Sequence, residues 1–160
     1  MGQATGAAAT IAFVTDSNNP DSKNPDPDRF YFRQLLAGRD FAVGNELAVG
    51  MANFAYLIGD RGTGECMVID PAYGVAELNA VAQADGMRLT GALITHYHAD
   101  HCGGEIMGIQ IEGAAKLLEL TQIPVHIQAT EREWVLKASD LSAEDLELHQ
   151  PGDTVMIGDL

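Results

Sequence analysis

The chain has 160 residues, 46% of them hydrophobic, which is the length and apolar content of one globular domain with its own core. Nine Lys and Arg stand against 23 Asp and Glu, a formal net charge of −14. That balance excludes the basic footprint needed for nucleic acid or an anionic membrane, and it reads as a solvated acidic exterior.

Residues 1–14 are rich in Ala, Gly and Thr and predict an ill-packed end or a short edge strand. No Lys or Arg precedes their apolar stretch, so no secretory signal is expected, and Gly6 stands where N-myristoylation requires Ser or Thr. Asp16 to Asp28 is a Pro/Asn/Asp cluster, which predicts a loop. The expected organisation is a flexible N-terminal segment over 1–28 and a folded domain over 29–160.

Phe30 to Leu36 reads as an aromatic-rich strand and Asn53 to Gly59 as a second. Asp60 to Gly64 is a Gly-rich turn, and Glu65 to Asp70 returns as the partner strand of a hairpin. Val75, Leu78, Val81 and Ala82 carry a helical period over 75–84, with Gly86 as the stop. Leu89 to Ile94 is a short buried strand. Strand–helix–strand favours parallel pairing of the two strands. Residues 106–120 read as mainly helical, and Pro124 to Gln128 as a strand. Thr130 to Glu133 reads as a capping box opening a helix to about Lys137, and Ser142 to Asp145 as the cap of a short acidic helix. Thr154 to Ile157 reads as a final strand. The alternation gives the α/β class. No apolar run reaches the length of a membrane span.

The chemistry is concentrated in Thr95-His96-Tyr97-His98-Ala99-Asp100-His101-Cys102-Gly103-Gly104, which holds three of the five histidines. Imidazole and carboxylate are ligands for zinc and related divalent metals. His96 and His98 are two apart, so in extended chain they point to one side. Asp100 and His101 follow where the glycines force a turn, and they can aim at a second point nearby. One pair per metal is the simplest reading. Two metals roughly 3.5–4 Å apart make a hydrolytic site in which a bridging water becomes nucleophilic. Tyr97, between two ligands, should point the other way and pack. Cys66 and Cys102 lack the spacing of a disulfide framework and predict a reducing, cytoplasmic setting. Cys66 reads as core, and Cys102 as a small buried residue rather than a ligand.

Thr95-His-Tyr-His-Ala-Asp-His101 resembles the T-H-x-H-x-D-H signature of the metallo-β-lactamase superfamily at every fixed position, and most resembles its glyoxalase II branch. The resemblance implies an αββα sandwich of two mixed sheets. It assigns His96 and His98 to a first metal, and Asp100 and His101 to a second. It gives Asp100 a further part in orienting or deprotonating the bridging water. Asp70 matches an acidic residue closing an earlier family strand and would support the ligand loop by hydrogen bonding. The family completes its site with a third His, a bridging Asp and a last His. The first of these follows a strand after G-D-x-x-x-x-G. This chain carries Gly152-Asp153-Thr-Val-Met-Ile-Gly158-Asp159-Leu160 and stops about where that strand begins. The expectation is therefore approximately the N-terminal half of a family domain, truncated before the later ligands. His126 and His149 fall in no family ligand motif and read as core or surface histidines.

The resemblance implies a metal-dependent hydrolase acting on an ester-like bond of a small-molecule substrate, a thioester by preference. Zinc is the expected metal, two ions in the complete domain, with iron or manganese as alternatives. The competing readings are a persulfide dioxygenase-like mono-iron oxidoreductase and a truncated, non-catalytic metal-binding fragment. An exposed sheet face in such a half-domain predicts self-association or a complementing C-terminal half.

Overall fold

The computed structural model describes residues 28–160. The expectations for residues 1–27 therefore lie outside the described residues. The elements run β1 (Phe30–Leu36), α1 (Glu46–Met51), β2 (Phe54–Asp60), β3 (Glu65–Ile69), α2 (Val75–Ala84), β4 (Arg88–Leu93), α3 (Ala99–Cys102), β5 (Gly104–Ile106), β6 (Ile109–Ile111), α4 (Gly113–Leu120), β7 (Val125–Gln128), α5 (Arg132–Ala138) and β8 (Leu146–His149). A six-stranded mixed sheet has the order β1-β2-β3-β4-β7-β8, and β5-β6 is a separate hairpin. Strands β1 to β3 pair antiparallel, whereas β3-β4, β4-β7 and β7-β8 are parallel. The β2–β3 hairpin, α2 and the parallel β3–β4 pair agree with the sequence pattern.

The sheet registers assign the two faces. Leu57 pairs with Val68, Val68 with Ala92, and Ala92 with Val125, so all four lie on one face. That face is buried with Leu78 and Ala82 of α2, Leu117 of α4 and Val135 of α5 in one core. The apolar period of α2 is thus satisfied against the sheet, as its spacing requires. The opposite face carries Phe30, Phe32, Phe54 and Tyr56, whose rings lie 6.0–6.3 Å apart along a ladder. Phe32 is 49% and Phe54 40% exposed. The described residues thus form one sheet with helices on one side, two layers of the four that an αββα sandwich has.

Four expectations need correction. Residues 106–120 are helical only from Gly113, the start of α4. Met107 and Gly108 take positive φ (52° and 81°) and turn the chain into the β5–β6 hairpin before α4 starts. The capping box does not form: Thr130 lies inside the 3-10 turn Ala129–Glu131, α5 starts only at Arg132, and neither makes a side-chain cap, while the Glu133 carboxylate faces Lys137 Nζ at 4.0 Å. Ser142 to Asp145 closes a turn rather than a helix. Ser142 donates from N and Oγ to Asp145 Oδ2 (both 2.7 Å), and the Asp145 carbonyl accepts from Val125 N, which brings β8 into the sheet. Residues 154–157 form no strand. Instead, the end of the chain returns to β2, where Asp159 N donates to Asp60 Oδ2 at 3.0 Å. Arg29 holds the same buried carboxylate through Nε (2.7 Å) and Nη2 (2.5 Å). The Arg29 bonds, offset in part by burial, hold the Asp60 pKa well below the usual carboxylate range. No helix among the described residues is long and apolar enough to cross a membrane.

Candidate metal centre

Strand β4 delivers the histidine segment at its C-terminal end, beside the C-terminal end of β3, where ligands gather in open α/β sheets. Past Ile94 the chain bends at Thr95, His96 and Tyr97 before His98, which sits at φ −62°, ψ 138° as the N-cap of α3. The single turn of α3 then carries Asp100 and His101. The expected extended alternation is replaced by these bends, which nonetheless bring His96 and His98 together, with His96 Nε2 3.0 Å from His98 Nδ1 and the His96 and His101 ring centroids 4.1 Å apart. Gly103 and Gly104 end the turn at φ 97° and 124°. A Cβ on Gly104 would overlap the Ala138 carbonyl oxygen, and one on Gly103 would press into Gly113. The glycine pair therefore permits both the backbone sign and the close approach of α3 to α4 and α5.

Asp70 organises the loop. It closes β3 in the left-handed region, at φ 52°, and is 8% exposed. Its Oδ1 accepts from Thr95 N at 2.8 Å, and its Oδ2 accepts from Thr95 Oγ1 at 2.7 Å. Oδ2 also lies 2.9 Å from His101 Nδ1. An ionised carboxylate only accepts, so this contact puts a proton on Nδ1 and leaves the His101 Nε2 lone pair outward. Thr95 Oγ1, having given its proton to Asp70, accepts from His96 Nδ1 at 3.0 Å, so His96 likewise presents Nε2. Burial pulls His101 down, but the Asp70 hydrogen bond and the charges of Asp70 and Asp100 outweigh it, and its pKa is raised. Burial, with the neighbouring His101 and His98 rings, lowers that of His96.

Sequence reasoning missed Asn53 and Glu131. Asn53 Nδ2 donates to Asp100 Oδ2 at 2.7 Å and to the Asp100 carbonyl at 3.0 Å, and it lies 3.4 Å from His101 Nε2. It stands 47 residues from Asp100 in a segment that reads only as strand. Glu131 Oε2 accepts from Tyr97 N at 3.1 Å. Tyr97 itself does not pack into the core. It is 37% exposed and lies against Trp134, centroids 5.6 Å apart. Cys102 is buried, donates its thiol to the Tyr97 carbonyl at 3.2 Å, and has its pKa pushed up to about 12 by burial. It stays a thiol at neutral pH, the packing role read from the sequence. Tyr73 Oη, also buried, has no hydrogen-bond partner.

The residues fit a divalent metal. Three imidazoles and the Asp100 carboxylate crowd one loop, two of the rings have their tautomers set by Thr95 and Asp70, and the donor set is borderline-soft N and O. His101 Nε2 and Asp100 Oδ2 are 3.6 Å apart. Away from this loop, His126, Glu147 and His149 bring one donor atom each within 4.8 Å of one another. His126, read as a core or surface histidine, is buried, and the β7–β8 register sets it beside His149.

The family model of the metallo-beta-lactamase superfamily matches residues 49–156. The chain belongs to the metallo-beta-lactamase superfamily. Within it, the chain is 36% identical over 108 residues to a hydroxyacylglutathione hydrolase of Rhodopseudomonas palustris. It is 43% identical over 60 residues to one of Rhodospirillum rubrum. The first match covers 68% of this chain and 36% of the relative, the second 38% and 23%. The chain thus spans about a third or less of the length of these relatives. A metallo-beta-lactamase of Staphylococcus aureus superposes with TM-score 0.57 at 22% identity, covering 81% of this chain and 32% of that one. ETHE1 of Myxococcus xanthus superposes with TM-score 0.54 at 25% identity, covering 81% and 44%. The superfamily is metal-dependent, and the curated relatives are hydrolases.

Proposed function

We propose that this chain carries the N-terminal part of a glyoxalase II-like thioester hydrolase site. His96 and His98 hold a first metal, and Asp100 and His101 a second. The observation that carries the reading is the Asp70 clamp, which turns His101 Nε2 outward and, through Thr95, does the same for His96. A divalent metal bound there supplies Lewis acidity and lowers the pKa of a coordinated water. Asp70 fixes the His101 ring and resists its rotation. Asn53 holds Asp100 by Oδ2 and so aims the carboxylate that would receive a proton from the attacking water. The thioester preference is taken from the hydroxyacylglutathione hydrolases to which the chain is similar. Zinc is the favoured metal, with iron or manganese compatible with the same donors.

The second reading is the iron-dependent oxidoreductase. It uses the same His96–His98 pair, and the likeness to ETHE1 supports keeping it. Metal analysis of the dialysed 160-residue chain, with thiol release from a hydroxyacylglutathione, tests both. The expected result is zinc retained by the parent, less zinc retained in His96→Ala and His98→Ala, and thioester cleavage abolished in Asp100→Asn. Full metal content in both histidine variants refutes the ligand assignment. Retained iron with no thiol release refutes the hydrolase.

A further inference from the structure

The edge of the sheet holds a second group of donors that the histidine loop does not use. Strands β7 and β8 are parallel, with His126 opposite Glu147 and Gln128 opposite His149. Because side chains alternate, His126, Glu147 and His149 share one face, while Val125 and Ile127 turn the other way into the core. His126 Nδ1 lies 2.9 Å from His149 Nε2 and 3.4 Å from Glu147 Oε2. Ligand atoms around a tetrahedral zinc, with bonds of roughly 2.0–2.2 Å, stand about 3.3 Å apart. The two separations from His126 Nδ1 bracket that value, and all three donor atoms lie within 4.8 Å of one another.

The first of the three is preorganised. His126 is 7% exposed, and its ring lies over Gly91: a Cβ there would stand 3.1 Å from His126 Nε2. Glycine at 91 therefore makes room for the ring, whose Nδ1 lies toward Glu147 and His149. The other two donors are reachable, Glu147 exposed and His149 half-buried. The ring of His126 bonds to β8, and the 96–101 loop finds its own partners in Asp70, Thr95 and Asn53.

We propose that His126, Glu147 and His149 form a separate site for one divalent transition-metal ion of the zinc class, which clips edge strand β8 to β7. Two imidazoles and a carboxylate are a three-ligand zinc set that leaves a fourth position for water. In the metal-free chain the two rings share one proton in an N–H···N bond, and the ion takes that proton's place as the proton moves to the other nitrogen of its ring, so both imidazoles stay neutral. The proposal is independent of the function assigned to the histidine loop.

Cobalt(II) is the probe, titrated into the 160-residue chain in a His96→Ala/His98→Ala background that removes the first pair of the loop. The expected result is one equivalent of bound cobalt with the intense visible bands of tetrahedral coordination. Glu147→Gln should weaken that binding at least tenfold and His149→Ala at least a hundredfold. Both positions are accessible, so these variants keep the fold, which far-ultraviolet circular dichroism checks. Hydrogen exchange of the β8 amides should slow when zinc is added to the background chain and not when it is added to the His149→Ala variant. A background chain that binds no cobalt overturns the proposal. So does binding that Glu147→Gln and His149→Ala leave unchanged, because the ion then sits elsewhere.

Discussion

Replacing Asp70 separates its two duties, holding the loop and tolerating an unusual backbone. The carboxylate accepts from Thr95 N, Thr95 Oγ1 and His101 Nδ1 at 2.7–2.9 Å in a nearly solvent-free setting. In Asp70→Asn one oxygen remains for Thr95 N, but an amide N–H would face the N–H of His101, while the Thr95 hydroxyl can rotate to accept. Loss of one bond to a charged group, with one donor left unmatched, costs roughly 2–3 kcal/mol. Asn tolerates the φ of 52°, so little backbone cost adds to it. Asp70→Ala loses all three bonds and also pays about 1–2 kcal/mol for a left-handed alanine, which Asp70→Gly does not pay. The stability order is therefore parent, Asn, Gly, Ala, with a fall of about 5–10 °C in Tm for Asn. Metal affinity of the loop should drop 10–100-fold in all three, since the His101 ring loses its orienting partner. Urea unfolding of the metal-free proteins and chelator competition for zinc read the two effects separately. An Asn variant that binds zinc as tightly as the parent refutes the orienting role. An Ala variant as stable as the Gly variant refutes the backbone argument.

Gly104→Ala should cost roughly 3 kcal/mol or more, because a Cβ meets the Ala138 carbonyl at a φ of 124°, and should lower zinc retention with it. Thermal unfolding and metal analysis of that variant check both. Asp60 has a folded-state pKa held below its unfolded value of about 3.9, so its contribution is present above that pH and is lost as the pH falls toward the folded value. Asp60→Asn should therefore lower stability by roughly 3 kcal/mol at pH 7 and flatten the acid side of the stability profile, measured as urea midpoint against pH. The uncovered ladder of Phe32, Phe54 and Tyr56 should drive concentration-dependent association of the parent. Phe32→Glu with Phe54→Lys should return it to monomer in sedimentation, with little change in unfolding midpoint.

The sequence was most legible where local pattern and tertiary environment agree. Strands β1 to β4 and helix α2 lie between Gly and Pro punctuation, and their apolar periods match the face they bury. The histidine loop is legible because four donor residues in six positions have few other uses. What escaped is governed by distant partners. Leu146-Glu147-Leu148-His149 alternates like a strand, yet the acidic residues before it suggested a helix, and only the Asp145 bond to Val125 brings it into the sheet. Glu131 gives no sign in sequence of its partner, because its carboxylate accepts from Tyr97 N, 34 residues away. Residues 154–157 have strand composition but pair with no strand among the described residues, and Asp159 then joins the chain to Asp60. Asn53 gives no local sign of its role, because it acts through Asp100 at the other end of a crossover.

The separations of the Asp70 and Asn53 contacts also set an order of assembly. His96, His98 and His101 lie within six residues and can meet by closing a loop of a few bonds, on a scale of about 10–100 ns. Asp70 lies 25 residues from Thr95 and 31 from His101, and Asn53 lies 47 from Asp100, so those contacts wait for the β3–α2–β4 crossover to form. In a refolding chain or one emerging from a ribosome, the imidazoles are available before the carboxylate and amide that orient them. Metal present from the start meets loosely posed ligands, whereas metal added after the sheet has closed meets rings whose tautomers are already chosen.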